Sequence, residues 1–342
     1  MPHRTFLAFI LPSLAAMFIF IALPILSVAY QSLFVSHPRV TVEVETCGPF
    51  GCSVETRVDT EAMAELQRES PMGQFNGLGT YTNSGHLAFD DLAMIWASSP
   101  DWTTAAKSIL NLPFYKALAF TLAFTFIVTP LVIVFGFFIA LAVNAIPPLI
   151  KGPVIFLSLL PMIVTPLIGA LVLFWMIDAR GVIGATLQLV FNDPQLSLKA
   201  SPALTWVVLF VYGVWHSAPF SFIVFYAGLQ TVPKDTLESA MIDGASRWQR
   251  VRYVVLPHLM PLVTFVALMQ LMDNFRVFEP IVGFSAAANA TSLSYLIYSD
   301  LRAGDAPLFG SAAATSMLTI IGVVILLTPV LIRNWRNFNR KT

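Results

Sequence analysis

Glu238-Ser-Ala-Met-Ile-Asp-Gly-Ala-Ser-Arg-Trp-Gln-Arg-Val-Arg-Tyr-Val-Val-Leu-Pro257 is a short polar segment between two long apolar ones. The run before it ends at Gln230-Thr-Val-Pro233, and Pro257 and Pro261 mark entry into the run after it. Asp235 and Glu238 stand at capping-box spacing, which predicts a helix starting near Thr236. Gly244 permits a sharp bend about two turns later. Ser246 and Gln249 repeat the capping-box spacing, so a second short helix is expected toward Tyr253. Ala240, Met241, Ala245 and Trp248 give this elbow an apolar surface in a charged frame. Two readings fit. A small amphipathic helix can lie in a partner's groove. The same helix, with Arg247, Arg250 and Arg252, can also lie on anionic lipid.

Outward from the elbow, the chain is membrane-like. Of its 342 residues, 57% are hydrophobic and 11% charged, and mean hydropathy is +0.76. A soluble domain carries roughly 25% charged residues. A bilayer span needs about 20 apolar residues. Six runs qualify: Phe6–Phe34, Phe114–Val143, Val154–Ile177, Leu204–Gln230, Leu256–Val282 and Phe309–Ile332. Their prolines, Pro12, Pro24, Pro161, Pro166 and Pro219 among them, are tolerated where neighbours satisfy the freed backbone groups. The first run is too long for a signal-peptide core and lacks a clear small-residue cleavage site. The expected fold is an all-α integral membrane protein of six helices.

Lys and Arg in the short connections orient it. With the N-terminus inside, Arg4, Lys151, Lys234, Arg247, Arg250, Arg252, Arg333, Arg336, Arg340 and Lys341 face the cytoplasm, against Asp235, Glu238 and Asp243. The long outer segment, about 35–113, is acidic, and an even number of spans returns the C-terminus to the cytoplasm. The domain organisation is then an N-terminal helix (1–34), an outer loop (35–113) and a five-helix core (114–342) carrying the polar loop 231–257.

In the outer segment Val40, Val42 and Val44 alternate with polar residues, as do Val54 and Val58. Period two on both sides of Gly48-Pro-Phe-Gly51 predicts a small β-hairpin. Cys47 and Cys52, the chain's two cysteines, then face each other, and an oxidising outer compartment makes a disulfide the natural pairing. Two free thiols, or half of a metal site, are the alternatives. Thr60–Glu69 reads as a short exposed helix. The region suits a cap on the outer mouth, a contact for an extracytoplasmic partner, or an insertion of packing value only.

Polar groups inside spans point to a solute path, because charge in a bilayer is costly and faces a cavity or a partner. The fifth run holds Asp273, Asn274, Arg276 and Glu279. Successive spacings of three put Asp273, Arg276 and Glu279 on one helical face, either lining a path for a hydroxylated solute or joining helices as a self-neutralising triad. Arg276 also suits an anionic group on a solute. Trp175, Tyr212, Trp215 and Phe222 are candidates to stack on sugar rings, and His216 reads as a packed polar group. The chain has no phosphate-binding loop, no dinucleotide turn and no His/Cys cluster at metal-ligand spacing. It therefore reads as a non-catalytic subunit with no cofactor or metal of its own and no affinity for nucleic acid.

The pattern Glu238-x-Ala240-x3-Gly244-x9-Val254-Val-Leu-Pro257 resembles the cytoplasmic coupling loop of permease subunits of ATP-binding-cassette importers. Asp243-Gly244-Ala245 is similar to the carbohydrate-type version, with Ser239 where the family has a second Ala. Leu11-Pro12, Leu23-Pro24 and Ser32-Leu-Phe34 resemble the first helix of the maltose-type permease that pairs with a second, different permease. Phe75-x-Gly-Leu-x-x-Tyr81, Leu160-Pro-Met162, Gly181-Val-Ile183, Trp215, Ala227-Gly-Leu-Gln230, Pro233 and Phe275-x-Val-Phe-Glu-Pro280 follow in the family's order. Residues 35–72 lie outside the pattern, and Ser285-Ala-Ala-Ala288 replaces a common Gly-Gly-Pro.

The resemblance implies that Glu238, Ser239, Ala240, Asp243, Gly244 and Ala245 dock on and respond to an ATPase. Glu238 would serve capping and docking, Ala240 and Gly244 close packing and the bend, and Asp243 loop shape. It implies a second homologous permease, two ATPase subunits that bind ATP and Mg, a periplasmic solute-binding protein, membrane lipid around the spans, and a bacterial inner membrane. The cargo would be a sugar or sugar derivative. Alternatives are a polyol or glycerol-phosphate-like solute, or an ion-coupled secondary transporter using Asp273 or Glu279, although the paired broken helices common in that class are not apparent.

Overall fold

The structure, a computed structural model, describes residues 3–38, 40–48, 51–303 and 308–339. Arg340 and Lys341, used above to orient the chain, and the turn residues Pro49 and Phe50 lie outside them. Helix α1 (His3–Met17) runs through a π turn (Phe18–Ala22) into α2 (Leu23–Gln31). There follow β1 (Phe34–Val35), the hairpin β2 (Thr41–Gly48) and β3 (Gly51–Val58), α3 (Thr60–Glu69), β4 (Gln74–Phe75), and the short helices α4 (Gly79–Thr82), α5 (Phe89–Ser98) and α6 (Trp102–Asn111). The long α7 (Pro113–Ala145) leads to α8 (Pro148–Ile163), α9 (Pro166–Met176), α10 (Val182–Phe191) and α11 (Pro202–Leu229). The elbow is α12 (Lys234–Ile242) and α13 (Arg247–Arg250); a second π turn (Val251–Val255) joins it to α14 (Leu256–Phe275). Last come α15 (Glu279–Gly283), α16 (Leu293–Leu301) and α17 (Phe309–Asn339).

Five helical stretches are long and apolar enough to cross a membrane, and α8 with α9 makes a sixth if that bent pair is one span. The third span is thus not continuous: α8 and α9 meet at 93°. Pro166 is the cause. It donates no N–H, and its ring pushes Thr165 out of the helical region, to ψ 142. The fifth span is also shorter than expected. Pro280 cannot follow a helical Arg276, whose carbonyl its ring would strike, so α14 stops at Phe275 and α15 starts anew at Glu279. Arg276 and Glu279 therefore do not share a helical face, and the expected triad reduces to one pair. Both π turns precede a Leu-Pro step: Leu23 donates to Phe18 O before Pro24, and Leu256 to Val251 O before Pro257. A widened turn makes room for the proline ring without ending the helix.

The chain divides into two compact units. The first comprises residues 1–115 and 296–320. The expected hairpin is present, pairing Thr41 with Val58 and Cys47 with Cys52. Its register sets Val42 opposite Arg57 and Val44 opposite Glu55, so neither face is uniformly apolar. The cysteine side chains lie outside the described residues. Helix α3 is capped by Asp59, whose carboxylate accepts from the backbone of Glu61 and Ala62. Phe34 pairs with Phe75 across β1 and β4, their rings 5.5 Å apart.

Deeper in this unit the buried His86 reaches Asn83 Oδ1 (2.9 Å) and Thr315 Oγ1 (3.1 Å), while Ser311 donates to Asp300 Oδ2 (2.7 Å). Burial pushes the Asp300 carboxyl above the usual carboxylate range, against the Ser311 hydrogen bond and the His86 charge. A raised folded-state value means that stability falls as pH rises from the unfolded value through the folded one. Asp300→Asn keeps the acceptor for Ser311 and removes the buried charge. Its melting temperature should exceed that of the parent at pH 8, with the difference shrinking toward pH 4; a lower value at pH 8 would refute this account.

The second unit, residues 116–295 and 321–342, holds two apolar clusters strung along α7 and α11. One gathers Phe120, Phe124 and Val128 with Leu209, Tyr212 and Ile281. The other gathers Ala140 and Val143 with Phe222, Phe225, Leu259 and Val266. The helices cross between the clusters, where a Cβ on Gly136 would lie 2.4 Å from that of Ser221. Without a side chain at Gly136 the backbones close up, the usual basis of helix packing in lipid.

Candidate functional site: an elbow and a polar cavity on one helix

The elbow is built by two consecutive capping motifs. At the end of α12, Gly244 adopts φ +78 and donates to Met241 O (3.1 Å), while Ala245 donates to Ala240 O (3.0 Å). This pair of bonds is a Schellman motif, which needs a residue at ease in the left-handed region. Ser246 then caps α13 through the expected box: its N–H donates to Gln249 Oε1 (2.7 Å) and its Oγ accepts from Gln249 N (3.3 Å). The first expected box does not form. Pro233 leads straight into α12 with no side-chain cap, Asp235 sits in the first turn, and its carbonyl accepts from Ser239 Oγ. Asp235 there meets the positive end of the helix dipole instead.

Leu237 packs against the second apolar cluster, and Ala240 and Ala245 are half-buried. Glu238, Ser239, Asp243 and Gly244 are exposed. The apolar surface is more pronounced than expected: Met241, Trp248 and Tyr253 are exposed, and Ile242, not anticipated, is 87% exposed. The signal for Ile242 was its place beside Met241 at the end of a short helix, where no third turn covers it.

From Ser246 the chain is helical without interruption from Arg247 to Phe275, 29 residues, or about 43 Å at 1.5 Å per residue. The far end of this rod lines a cavity of about 530 Å³. Asp273, Asn274, Arg276 and Glu279 all line it, as do Gln270 and His216. Arg276 donates to Asp273 Oδ1 at 2.9 Å; both residues are on the lining and both side chains are more than half exposed. Asn274 is buried and donates to Thr129 Oγ1 (2.9 Å). The carbonyl of Val277, left over where α14 ends, accepts from Ser292 Oγ at 2.6 Å.

The break between α8 and α9 forms the opposite wall, through Met162 and Pro166. Its carbonyls are satisfied from α11: Tyr212 Oη donates to Pro166 O (2.7 Å), and His216 Nε2 reaches Val164 O (3.2 Å). In a membrane an unpaired carbonyl costs several kcal/mol, and that of Val164, just past the end of α8, finds its partner in His216. Of the four aromatic residues expected to stack on sugars, Tyr212 alone lines this cavity. Trp215 lies on an apolar groove, Phe222 is fully buried, and Trp175 is exposed elsewhere. Gln270 and His216 had no distinguishing spacing in the sequence; they line the cavity from α14 and α11.

Elsewhere in the second unit, Lys199 Nζ lies 2.9 Å from Asp178 Oδ2 and 3.4 Å over the Phe174 ring. That partner holds the Asp178 carboxyl below the usual carboxylate range. No group of His, Cys, Asp and Glu among the described residues is arranged to hold a metal.

Membrane-length helices, an exposed elbow and a polar cavity at opposite ends of one rod define a multi-span transport subunit. A family model described as "Binding-protein-dependent transport system inner membrane component" matches residues 104–337. The chain belongs to that family. It is 31% identical over 212 residues to the trehalose transport system permease protein SugA of Mycobacterium tuberculosis, covering 61% of this chain and 67% of that one. It is 28% identical over 217 residues to the trehalose/maltose transport system permease protein MalF of Thermococcus litoralis (62% and 71%). Among solved structures, a bacterial ABC transporter involved in import of the acidic polysaccharide alginate matches with TM-score 0.61 at 19% identity, over 81% of this chain and 93% of that one. That likeness is one of fold.

Proposed function

We propose that this chain is one of two permeases in an importer that carries a sugar or sugar derivative inward, fed by a solute-binding protein and driven by ATP and Mg on two separate ATPase subunits. The observation that carries this reading is the single rod from Arg247 to Phe275, with the elbow at one end and the cavity at the other. A partner gripping Met241, Ile242 and Trp248 would move Ser246, and a continuous helix passes that motion to Asp273. The elbow then lies on the cytoplasmic side, both termini with it, and the hairpin outside. The sugar relatives favour a carbohydrate over a polyol, and the membrane-potential-driven alternative has no support from the family. Co-expressed with its neighbours and reconstituted in vesicles, the assembly should take up labelled sugar only when ATP is supplied to the ATPase side. Uptake driven by an ion gradient without ATP would overturn the proposal.

Cys47 and Cys52 belong to the same proposal as a disulfide locking the hairpin tip, supported by their direct opposition across β2 and β3. Maleimide should label them only after reduction in cells with an oxidising outer compartment; labelling without reductant would refute the bridge.

A further inference from the structure

The cavity carries a surplus of acceptors. Gln270 is only 4% exposed, yet it lines the cavity, and its side-chain carbonyl has no hydrogen-bond partner among the described residues. A buried acceptor left empty is destabilising unless something fills it; the side chain that carries it borders this cavity, and because its oxygen is itself covered, a solute reaches it only after that side chain turns. Glu279 is exposed on the same cavity and makes no ion pair among the described residues. Arg276, the one guanidinium among the described residues of the lining, is already held by Asp273. Among the described Arg, Asp and Glu side chains of the lining, one guanidinium stands against two carboxylates, an excess of one negative charge.

Resting on the sugar-importer reading, we propose that this cavity selects uncharged or positively charged sugars and turns away acidic ones, with Gln270 and Glu279 accepting hydrogen bonds from solute hydroxyl or ammonium groups. A sugar hydroxyl can donate to Gln270 Oε1 and complete it; an ammonium can do so and also pair with Glu279. A carboxylate on the solute can do neither. It would meet Glu279 as a like charge in a membrane-enclosed space where screening is weak, and could be compensated only by prising Arg276 from Asp273. This is the opposite preference to that suited by a free Arg276.

Glucose, glucosamine and glucuronate offer nearly one shape with three charges. Their dissociation constants can be read as thermal shifts of the purified assembly in detergent without its solute-binding protein, so that the cavity is tested alone. Glucose and glucosamine should bind, and glucuronate at least roughly tenfold more weakly. Glu279→Gln should narrow that gap. Gln270→Met, close in volume but without the acceptor, should weaken glucose by roughly tenfold, whereas Gln270→Glu, which restores an acceptor, should not. Glucuronate binding as well as glucose, unchanged glucose binding in Gln270→Met, or no binding of any of the three would overturn the proposal. The importer reading stands or falls separately on ATP-driven uptake.

Discussion

Gly244→Val should reduce ATP-driven uptake by at least roughly tenfold while the chain still inserts and assembles in the membrane. The reason is conformational, since a Cβ at Gly244 would meet nothing within 4 Å. At φ +78 a side chain costs about 1–3 kcal/mol, and a β-branched one lies at the upper end. The cheapest escape is to rotate Gly244 out of the left-handed region. That breaks the two bonds to Met241 and Ala240, swings Ser246 away from its present line, and misaims the whole Arg247–Phe275 rod relative to α12. Gly244→Asn is the discriminating control. Asn tolerates this conformation and should retain most of the uptake, although its side chain is as long as it is polar. Uptake and ATPase turnover measured on the same vesicles would separate the outcomes. ATP hydrolysis persisting without uptake in the Val variant marks uncoupling at the elbow. Wild-type uptake in that variant would remove this bend from the transmission path.

The elbow was readable because its determinants are local. A Gly two turns into a helix and a Ser-x-x-Gln three-residue spacing each specify a backbone shape from their own neighbours, and the second capping box formed as expected. The first did not, because Pro233 had already set the entry to α12, and a fixed φ one residue upstream outweighs a side-chain cap. The cavity was half readable. The cost of charge within an apolar run marks Asp273 and Arg276 in the sequence, and they do pair. Where the helix around them would stop was a contest between hydrophobic length, which suggested continuity to Val282, and one ring clash at Pro280, which won. The bend at Pro166 was under-read for the same reason: tolerance of proline in membrane helices depends on donors from elsewhere, here Tyr212 and His216 from α11, and no spacing in the sequence announces a pairing across some fifty residues.

Gly283→Val should lower the stability of the detergent-solubilised assembly more than substitution at any surface glycine, and impair solute binding with it. Helix α15 is a single turn held against α9. A Cβ at Gly283 would lie 2.7 Å from the Cβ of Ala170 and 2.8 Å from the carbonyl oxygen of Leu167. Ala170 is fully buried and the second contact is backbone, so no flexible side chain can yield. Overpacking of this kind costs about 1–3 kcal/mol when neighbours shift, and here the neighbour is the helix that follows the 93° bend. Any shift of α15 carries Glu279 and Pro280, both on the cavity wall, so sugar affinity should fall together with melting temperature. Gly152→Ala in α8 is the comparison. Its Cβ would meet nothing within 4 Å, and replacing a helical glycine should leave stability unchanged or raise it by about 0.5–1 kcal/mol. A Gly283 variant as stable as the Gly152 one would mean that α15 is free to slide along α9, and the cavity wall would then be a moving part rather than a fixed one.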